Sequence, residues 1–356
     1  MGRATFPRGP EGITTDWLTD AVGAPVSSFE VEQIGMGVGL LGRMLRVTLT
    51  GDGTTPSSIV MKLPTLDEGA RRTIMKPMRF YEREVHFYQE AAHAVPVATP
   101  KVHFAEFDPA TDDFVLVFED CSDRRMADQI AGCSEADADT SIDAMVALHS
   151  HSWAALHAST YPWLPKYCDS PYPQAWGGMF KRGWPRAKEI FGARIPKQIR
   201  DFGDRYELIV QPYLDEITAE PVTFCHGDFR LDNFLFATKA EHAPVTIVDW
   251  PICFRGRGAY DLAYFISQSL TPEDRRANEE RLIDRYLNGL TAHGIKYPRD
   301  QLMRDYKRTV AWCFLYPVAV VGTVEIKTER QLQLLQGMLD RSIAAIEDSA
   351  ALEVLR

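Results

Sequence analysis

Residues 224–236 read FCHGDFRLDNFLF. His226, Asp228, Arg230, Asp232 and Asn233 fall within eight positions, closed in by Phe224 on one side and by Phe234, Leu235 and Phe236 on the other. A core strand does not carry so many charges, because burying an unpaired ionised group is costly. The apolar flanks in turn argue against a freely solvated loop. The stretch reads as a polar loop anchored at both ends.

The spacing within it suggests chemistry. His226-Gly227-Asp228 is followed by Asn233, five residues after the aspartate, giving H-G-D-x-x-x-x-N. Phosphoryl transfer needs one carboxylate to meet an acceptor hydroxyl and an amide oxygen to reach a metal ion on the far side of the transferring group. A tight loop sets that separation. Arg230 lies two residues past Asp228, where its charge would offset a γ-phosphate. The competing reading is a metal or hydrolase site on His226 and Asp228, against which no second histidine follows at ligand spacing. Further on, VTIVDWPICFRGRGAYDLAYF (245–265) places Asp249 at the end of an apolar strand, sixteen residues after Asn233. A carboxylate there holds Mg²⁺ against phosphates, or is a solvent-facing strand end. Asp261 opens a helix, either as its N-cap or as a brace for the polar loop.

Upstream, GMGVGLLG (35–42) contains G-x-G-x-x-G at Gly37, Gly39 and Gly42. A dinucleotide fingerprint opens a helix after a strand. Here RMLRVTLTGDG follows, which reads as strand and turn, so a glycine-rich hairpin over phosphates fits better than a dinucleotide site. An ordinary Gly-rich hairpin is the plain alternative. Lys62 in IVMKLP sits among apolar neighbours on the third strand, an expensive place for a lysine. It is either solvent-facing or aimed at phosphates, and then needs a carboxylate to hold it. Glu84 is the first candidate and Glu82 the second.

The layout around these motifs has two parts. FEVEQIG, GRMLRVTLT, SSIVMKLP, KVHFAEFD and DFVLVFED read as strands, with one short helix before them and one principal helix, MRFYEREVHFYQEAAHAV, between the third and fourth. From about residue 134 the chain turns helical, beginning at a Ser-x-x-Asp cap pattern. Further helices are expected over 186–217, 272–293, 298–320 and 324–348. The aromatic stretch 161–185 looks too irregular for one long helix. The result is an α+β, bilobal chain: a strand-rich N-terminal lobe over 1–120 and a mainly helical C-terminal lobe over 121–356, with a cleft between them.

Composition narrows the function classes. The chain has 356 residues, 45% of them hydrophobic and 25% charged, as a soluble globular protein does. A net charge of −10 argues against nucleic acid as a partner. Six cysteines without C-x-x-C spacing read as reduced thiols of a cytoplasmic protein. No apolar leader precedes residue 17, and the run AWCFLYPVAVV (311–321) is too short to span a bilayer, so no membrane partner is expected. Oligomeric state is not legible.

The order glycine loop, strand Lys, helix Glu, H-G-D-x-x-x-x-N and strand-end Asp resembles the protein-kinase-like fold in its aminoglycoside phosphotransferase branch. CHGDFRLDNFLF and VDWPICFRGRGAYDLAYFI look most like the ecdysteroid-kinase-like members. The resemblance covers roughly residues 30–350 and implies a Mg²⁺-dependent kinase using ATP. It implies that Asp228 orients, and deprotonates, the acceptor hydroxyl, that Asn233 and Asp249 hold Mg²⁺, and that Lys62, steadied by Glu84, contacts the α- and β-phosphates. It makes VFEDC (117–121) a hinge, with the backbone near Glu119, Asp120 and Cys121 reading the base. His226 becomes a structural residue of the loop and Asp261 hydrogen-bonds back to it. Departures matter too. Asp249-Trp250-Pro251 replaces D-F-G, only twelve residues separate Asp249 from Asp261, and no A-P-E follows. A small hydroxylated acceptor is therefore expected rather than a peptide. Tyr161, Trp163, Tyr167, Tyr172, Trp176, Phe180 and Trp184 are either core or an acceptor wall suited to a steroid- or macrolide-like alcohol more than to a polycation. The alternatives to transfer are a nucleotide-binding scaffold without activity and a metal-dependent hydrolase.

Overall fold

The computed structural model describes residues 6–35, 42–323, 326 and 328–355. Helix α1 (Thr15–Val22) is capped by the Thr14 hydroxyl, which accepts from the Trp17 amide, and stops at left-handed Gly23. Five strands follow: β1 (Val26–Ile34), β2 (Gly42–Gly51), β3 (Ser58–Pro64), β4 (Val102–Asp108) and β5 (Asp113–Glu119). They form one antiparallel sheet in the order β1-β2-β3-β5-β4.

Alternation along the strands divides the sheet between two cores. Ile59, Met61 and Leu63 of β3 join Val115 and Val117 of β5, the inward residues of β2 and Leu18 of α1 on one face. Phe114, Leu116 and Phe118 face the other way, into the main core. Lys62 pairs in register with Leu116 and shares that second face, so its ammonium is carried toward the helical part rather than to solvent.

The helix expected over 78–95 is broken. Arg79 takes a left-handed conformation (φ 53°), helix α2 (Phe80–His86) starts after it, and a π-type turn over Phe87–Ala91 ends the segment. Residues 68–78 also wind into short helical turns.

Helix α3 (Glu135–Ser152) starts at Ser134, whose hydroxyl accepts from the Asp137 amide as the cap pattern requires. Of the stretch 161–185, read as too irregular for one long helix, residues 161–171 are turns but 172–185 belong to helix α4 (Tyr172–Phe191). Tertiary contact overrides its glycines and Pro185. A Cβ on Gly183 would meet the Val318 carbonyl at 2.0 Å, so the glycine permits close packing on the helix that carries Val318. The stretch 186–217, expected to be helical, holds the end of α4 and two further helices, α5 (Lys197–Gly203) and α6 (Glu207–Ile217). Then come α7 (Ala259–Ser269), α8 (Pro272–Ala292), α9 (Arg299–Cys313), α10 (Leu315–Thr323) and α11 (Glu329–Asp348), the last opened by a reciprocal Thr328–Gln331 cap. No helix among the described residues is long and apolar enough to cross a membrane.

Short strands seat the polar loops. β6 (Arg125–Met126), β8 (Phe234–Phe236) and β9 (Val245–Ile247) form one small sheet, and β7 (Thr223–Cys225) pairs with β10 (Phe254–Gly256) in another. The 226–233 loop runs from β7 to β8, and the Asp249 turn from β9 to β10. Both polar segments are thus pinned at both ends against the main core.

Candidate active site

Asp261 organises the polar loop from behind. It sits in the first turn of α7 but is not its cap, since the helix begins at Ala259. Its carboxylate accepts from the amides of His226 (2.7 Å) and Gly227 (2.9 Å) and contacts His149 Nε2 at 3.1 Å. Gly227 is left-handed (φ 84°), and a Cβ there would lie 2.3 Å from the Ile252 carbonyl, so the middle of His-Gly-Asp admits no side chain. His226 is fully buried. Its Nδ1 accepts from the Asp228 amide at 3.1 Å, which makes Nε2 the donor to the Val248 carbonyl at 3.1 Å. Burial holds this ring neutral by lowering its pKa. Both nitrogens are used by the chain itself, which leaves neither for a metal and removes the basis of the His226 hydrolase reading.

Asp228 lies in front of that brace, 8% exposed. Asn233 Nδ2 donates to its carbonyl (2.8 Å) and its carboxylate (3.0 Å), and Arg230 Nε lies 3.2 Å from the other carboxylate oxygen. Burial opposes ionisation, but the Arg230 charge and hydrogen bonds from Tyr264 and Asn233 outweigh it, and the carboxyl is held below its ordinary range. Arg230 is not a free cation: it also reaches Asp232 at 2.7 Å.

The sheet supplies the opposite wall. Lys62 Nζ lies 2.7 Å from both carboxylate oxygens of Glu84 and 2.7 Å from Asp249 Oδ1. Glu82 instead pairs with Arg79 at the surface. Burial alone would lower the Lys62 pKa; the charges of Asp249 and Glu84 reverse that and hold the ammonium ionised. Asp249 follows β9 in a left-handed conformation (φ 67°), which costs a non-glycine residue on the order of 1 kcal/mol. The neighbouring Trp250 stacks on Phe87 at 3.9 Å.

These groups line one cavity of about 600 Å³. Gly42, Lys62, Glu84, Glu119, Asp120, Cys121, Asp228, Arg230, Asn233 and Asp249 all face it, whereas His226 and Asp261 stand behind it. Gly37 and Gly39 lie outside the described residues. At the end of β5, the Asp120 carboxylate accepts from Arg46 Nε and Ser58 Oγ, both at 2.9 Å, tying this corner to β2 and β3. Burial pushes the Cys121 thiol up to about 12, so it is no nucleophile. Val60, Pro100, Phe118, Leu235 and Val248 form an apolar slot beside it.

The far end of the cavity is apolar and comes from helices that the sequence reading did not assign to a site. Tyr316 and Val320 of α10, Ile326, and Leu334, Leu335 and Met338 of α11 line it. None of residues 161–185 lines this cavity; Tyr167, Tyr172, Trp176, Phe180 and Trp184 are buried in the core. Tyr264 was also missed. It lies three positions after Asp261 on α7, which puts both on one face of the helix and was the one available signal.

A metal fits the donor set. Asn233 directs its amide nitrogen at Asp228, and Asp249 lines the same cavity with a partly exposed carboxylate (29%); an amide oxygen and a carboxylate are the hard ligands that Mg²⁺ takes.

Solved structures share this architecture at low identity. A proposed aminoglycoside phosphotransferase from Ralstonia eutropha matches with a TM-score of 0.55 and 16% identity, covering 94% of this chain and 97% of that one. Plasmodium vivax ethanolamine kinase matches at 0.52 and 13%, covering 91% and 82%. An aminoglycoside phosphotransferase solved as its GDP complex matches at 0.52 and 14%, covering 95% and 97%. The likeness shows the protein-kinase-like fold. No curated protein matches the sequence. The model of the ecdysteroid kinase-like family, however, matches residues 37–297, and the chain belongs to that family.

Proposed function

We propose that the protein is a small-molecule kinase that moves the γ-phosphoryl group of ATP to a hydroxyl, with Mg²⁺. One observation carries this: Lys62 from the sheet meets Asp249 at 2.7 Å in the same cavity that Asp228 and Asn233 line from the polar loop. Family membership supports the reaction class. In this reading the division into lobes falls at residues 120 and 121, with 117–122 as hinge.

Each residue has a task. The apolar slot takes the base beside the backbone of 119–121, and Lys62 holds phosphate oxygens, kept in place by Glu84. Asn233 and Asp249 would hold Mg²⁺, which neutralises charge on the transferring group. Asp228 accepts a hydrogen bond from the acceptor hydroxyl and aims its oxygen. Its depressed pKa makes it a weak base, so it takes the proton late, as the new O–P bond forms. Arg230, released from Asp232, stabilises phosphoryl charge. The chain's contribution is position and electrostatics.

The acceptor would enter at the apolar end. The acids facing the cavity belong to the hinge, α2 and the two polar loops, and none comes from α10 or α11. That wall suits a bulky apolar alcohol, steroid- or macrolide-like, and offers no carboxylate to an aminoglycoside's ammonium groups.

The test is Mg²⁺-dependent ATP consumption with pooled hydroxylated compounds, with Asp228→Asn as control. Turnover with the parent and none with the variant is expected. Nucleotide binding without turnover on any acceptor would make the protein a scaffold, and hydrolysis without ATP would make it a hydrolase.

A further inference from the structure

Arg83 is 1% exposed, and among the described residues no carboxylate lies within ion-pair distance of it. Its guanidinium instead donates to the carbonyls of Met78 (2.7 Å) and Pro251 (2.9 Å) and to the hydroxyls of Tyr167 and Tyr172 (both 3.1 Å). The rings of Phe80, Tyr167 and Tyr172 surround it, with centroids 5.4 to 5.8 Å away. A buried cation without an anion is an unfavourable way to fill a core, and an apolar side chain of similar length would fill it at lower cost. What its N–H groups hold must account for it.

They hold the turn after Asp249. Arg83 binds the Pro251 carbonyl directly, and Tyr167, bonded to Arg83, donates to the Ile252 carbonyl. The next residue on the helix, Glu84, accepts from the Trp250 amide. Two adjacent residues of α2, together with Tyr167, therefore clasp three consecutive residues that follow the left-handed Asp249. The Ile252 carbonyl is also the atom against which Gly227 packs, so the same knot sets the distance between the Asp249 turn and the Asp228 loop.

We propose that Arg83 is a positioning residue of the phosphotransfer site: through Pro251 and through Tyr167 to Ile252, it fixes the backbone that presents Asp249. Glu84 places the same carboxylate through Lys62, so α2 controls it from both side chain and main chain. As a statement about catalysis this rests on the kinase reading above; as a statement about the turn it does not.

The test uses Arg83→Met, which keeps volume and removes the donors, and Tyr167→Phe, which removes the Ile252 tether and one Arg83 acceptor while leaving the Arg83–Pro251 bond. The first measurement is amide hydrogen exchange at Trp250, Ile252 and Cys253 in the ligand-free protein. The second is the Mg²⁺ concentration giving half-maximal rate. For Arg83→Met, exchange at these amides should rise at least about tenfold and the Mg²⁺ requirement by about 10- to 100-fold, with the acceptor KM unmoved. Tyr167→Phe should move both in the same direction by less. A role in packing alone would lower the melting temperature and leave local exchange and the Mg²⁺ requirement unchanged, which would overturn the proposal. If Arg83→Met does not fold, Tyr167→Phe decides by the same two readouts. A parent without turnover would sink the kinase reading, while exchange would still decide the clamp.

Discussion

Glu84 grips Lys62 with both carboxylate oxygens at 2.7 Å, and the partly exposed Asp249 is the third member of the trio centred on that ammonium. One ammonium serves two carboxylates, and burial pushes the Glu84 carboxyl up despite the nearby cation. The cluster is short of positive charge, and Mg²⁺ beside Asp249 would supply it. The two ends of the pair should respond differently to mutation. Lys62→Met leaves two carboxylates without a cation and should destabilise the protein by about 3–5 kcal/mol at neutral pH. Glu84→Gln leaves Lys62 its Asp249 contact, so the protein should melt near the parent while nucleotide affinity drops about tenfold or more. Denaturant melts and nucleotide titration check both, and a Lys62→Met protein as stable as the parent would refute the account.

Asp228→Asn keeps the shape of the loop and removes the negative charge that the acceptor hydroxyl needs. The rate should fall by a factor of about 10²–10⁴. Nucleotide affinity should stay within about threefold, because Lys62 and Asp249 are untouched. Single-turnover transfer and a separate binding titration measure the two quantities, and a variant with parental turnover would show that another group orients the acceptor.

The polar loop was legible because charges in an apolar frame have few explanations. Asp228, Asn233 and Asp249 announce themselves by residue type and spacing, and Lys62 by its apolar neighbours. Arg83 was not legible. In FYEREVH it reads as one more surface charge, and only the path of residues 250–252 reveals what it holds. The aromatic run 161–185 misled in the opposite direction. Its glycines and prolines argue against a helix, yet Gly183 is what lets α4 lie against the Val318 backbone. The apolar end of the cavity escaped because Leu335 and Met338 carry ordinary core periodicity; whether such a face is covered or left open is decided by packing, which no local pattern encodes.

His226 should set part of the acid sensitivity of the fold. Burial lowers its pKa below the ordinary 6.5, so the folded protein rejects a proton that the unfolded chain accepts. The sign follows: its contribution is present above about pH 6.5 and is lost as the pH falls below that value. His226→Asn cannot be charged, so its stability should start lower yet decline less between about pH 6.5 and 5. Melting temperatures across that range decide it, and parallel curves for the two proteins would mean that other groups carry the acid limb.

The apolar end offers the sharpest separation of acceptor from nucleotide. Leu335 lines the cavity while remaining 3% exposed, and Tyr316 stacks on Tyr264 at 4.5 Å, next to the Asp228 carboxylate that Tyr264 hydrogen-bonds. Leu335→Ala removes wall surface from a bound apolar alcohol, which is worth about 1–3 kcal/mol per group lost, or about 10- to 200-fold in kcat/KM. Nucleotide affinity should not change, since α11 carries none of the phosphate or metal ligands. Leu335→Glu inverts the preference: a carboxylate in that wall repels an apolar acceptor and attracts an ammonium group. Competition between a sterol-like alcohol and an aminoglycoside, read as the ratio of their kcat/KM values in parent and variant, tests the assignment directly. If the parent already favoured the polycation, or if Leu335→Glu left the ratio unchanged, the acceptor would have to enter from a different side of the cavity.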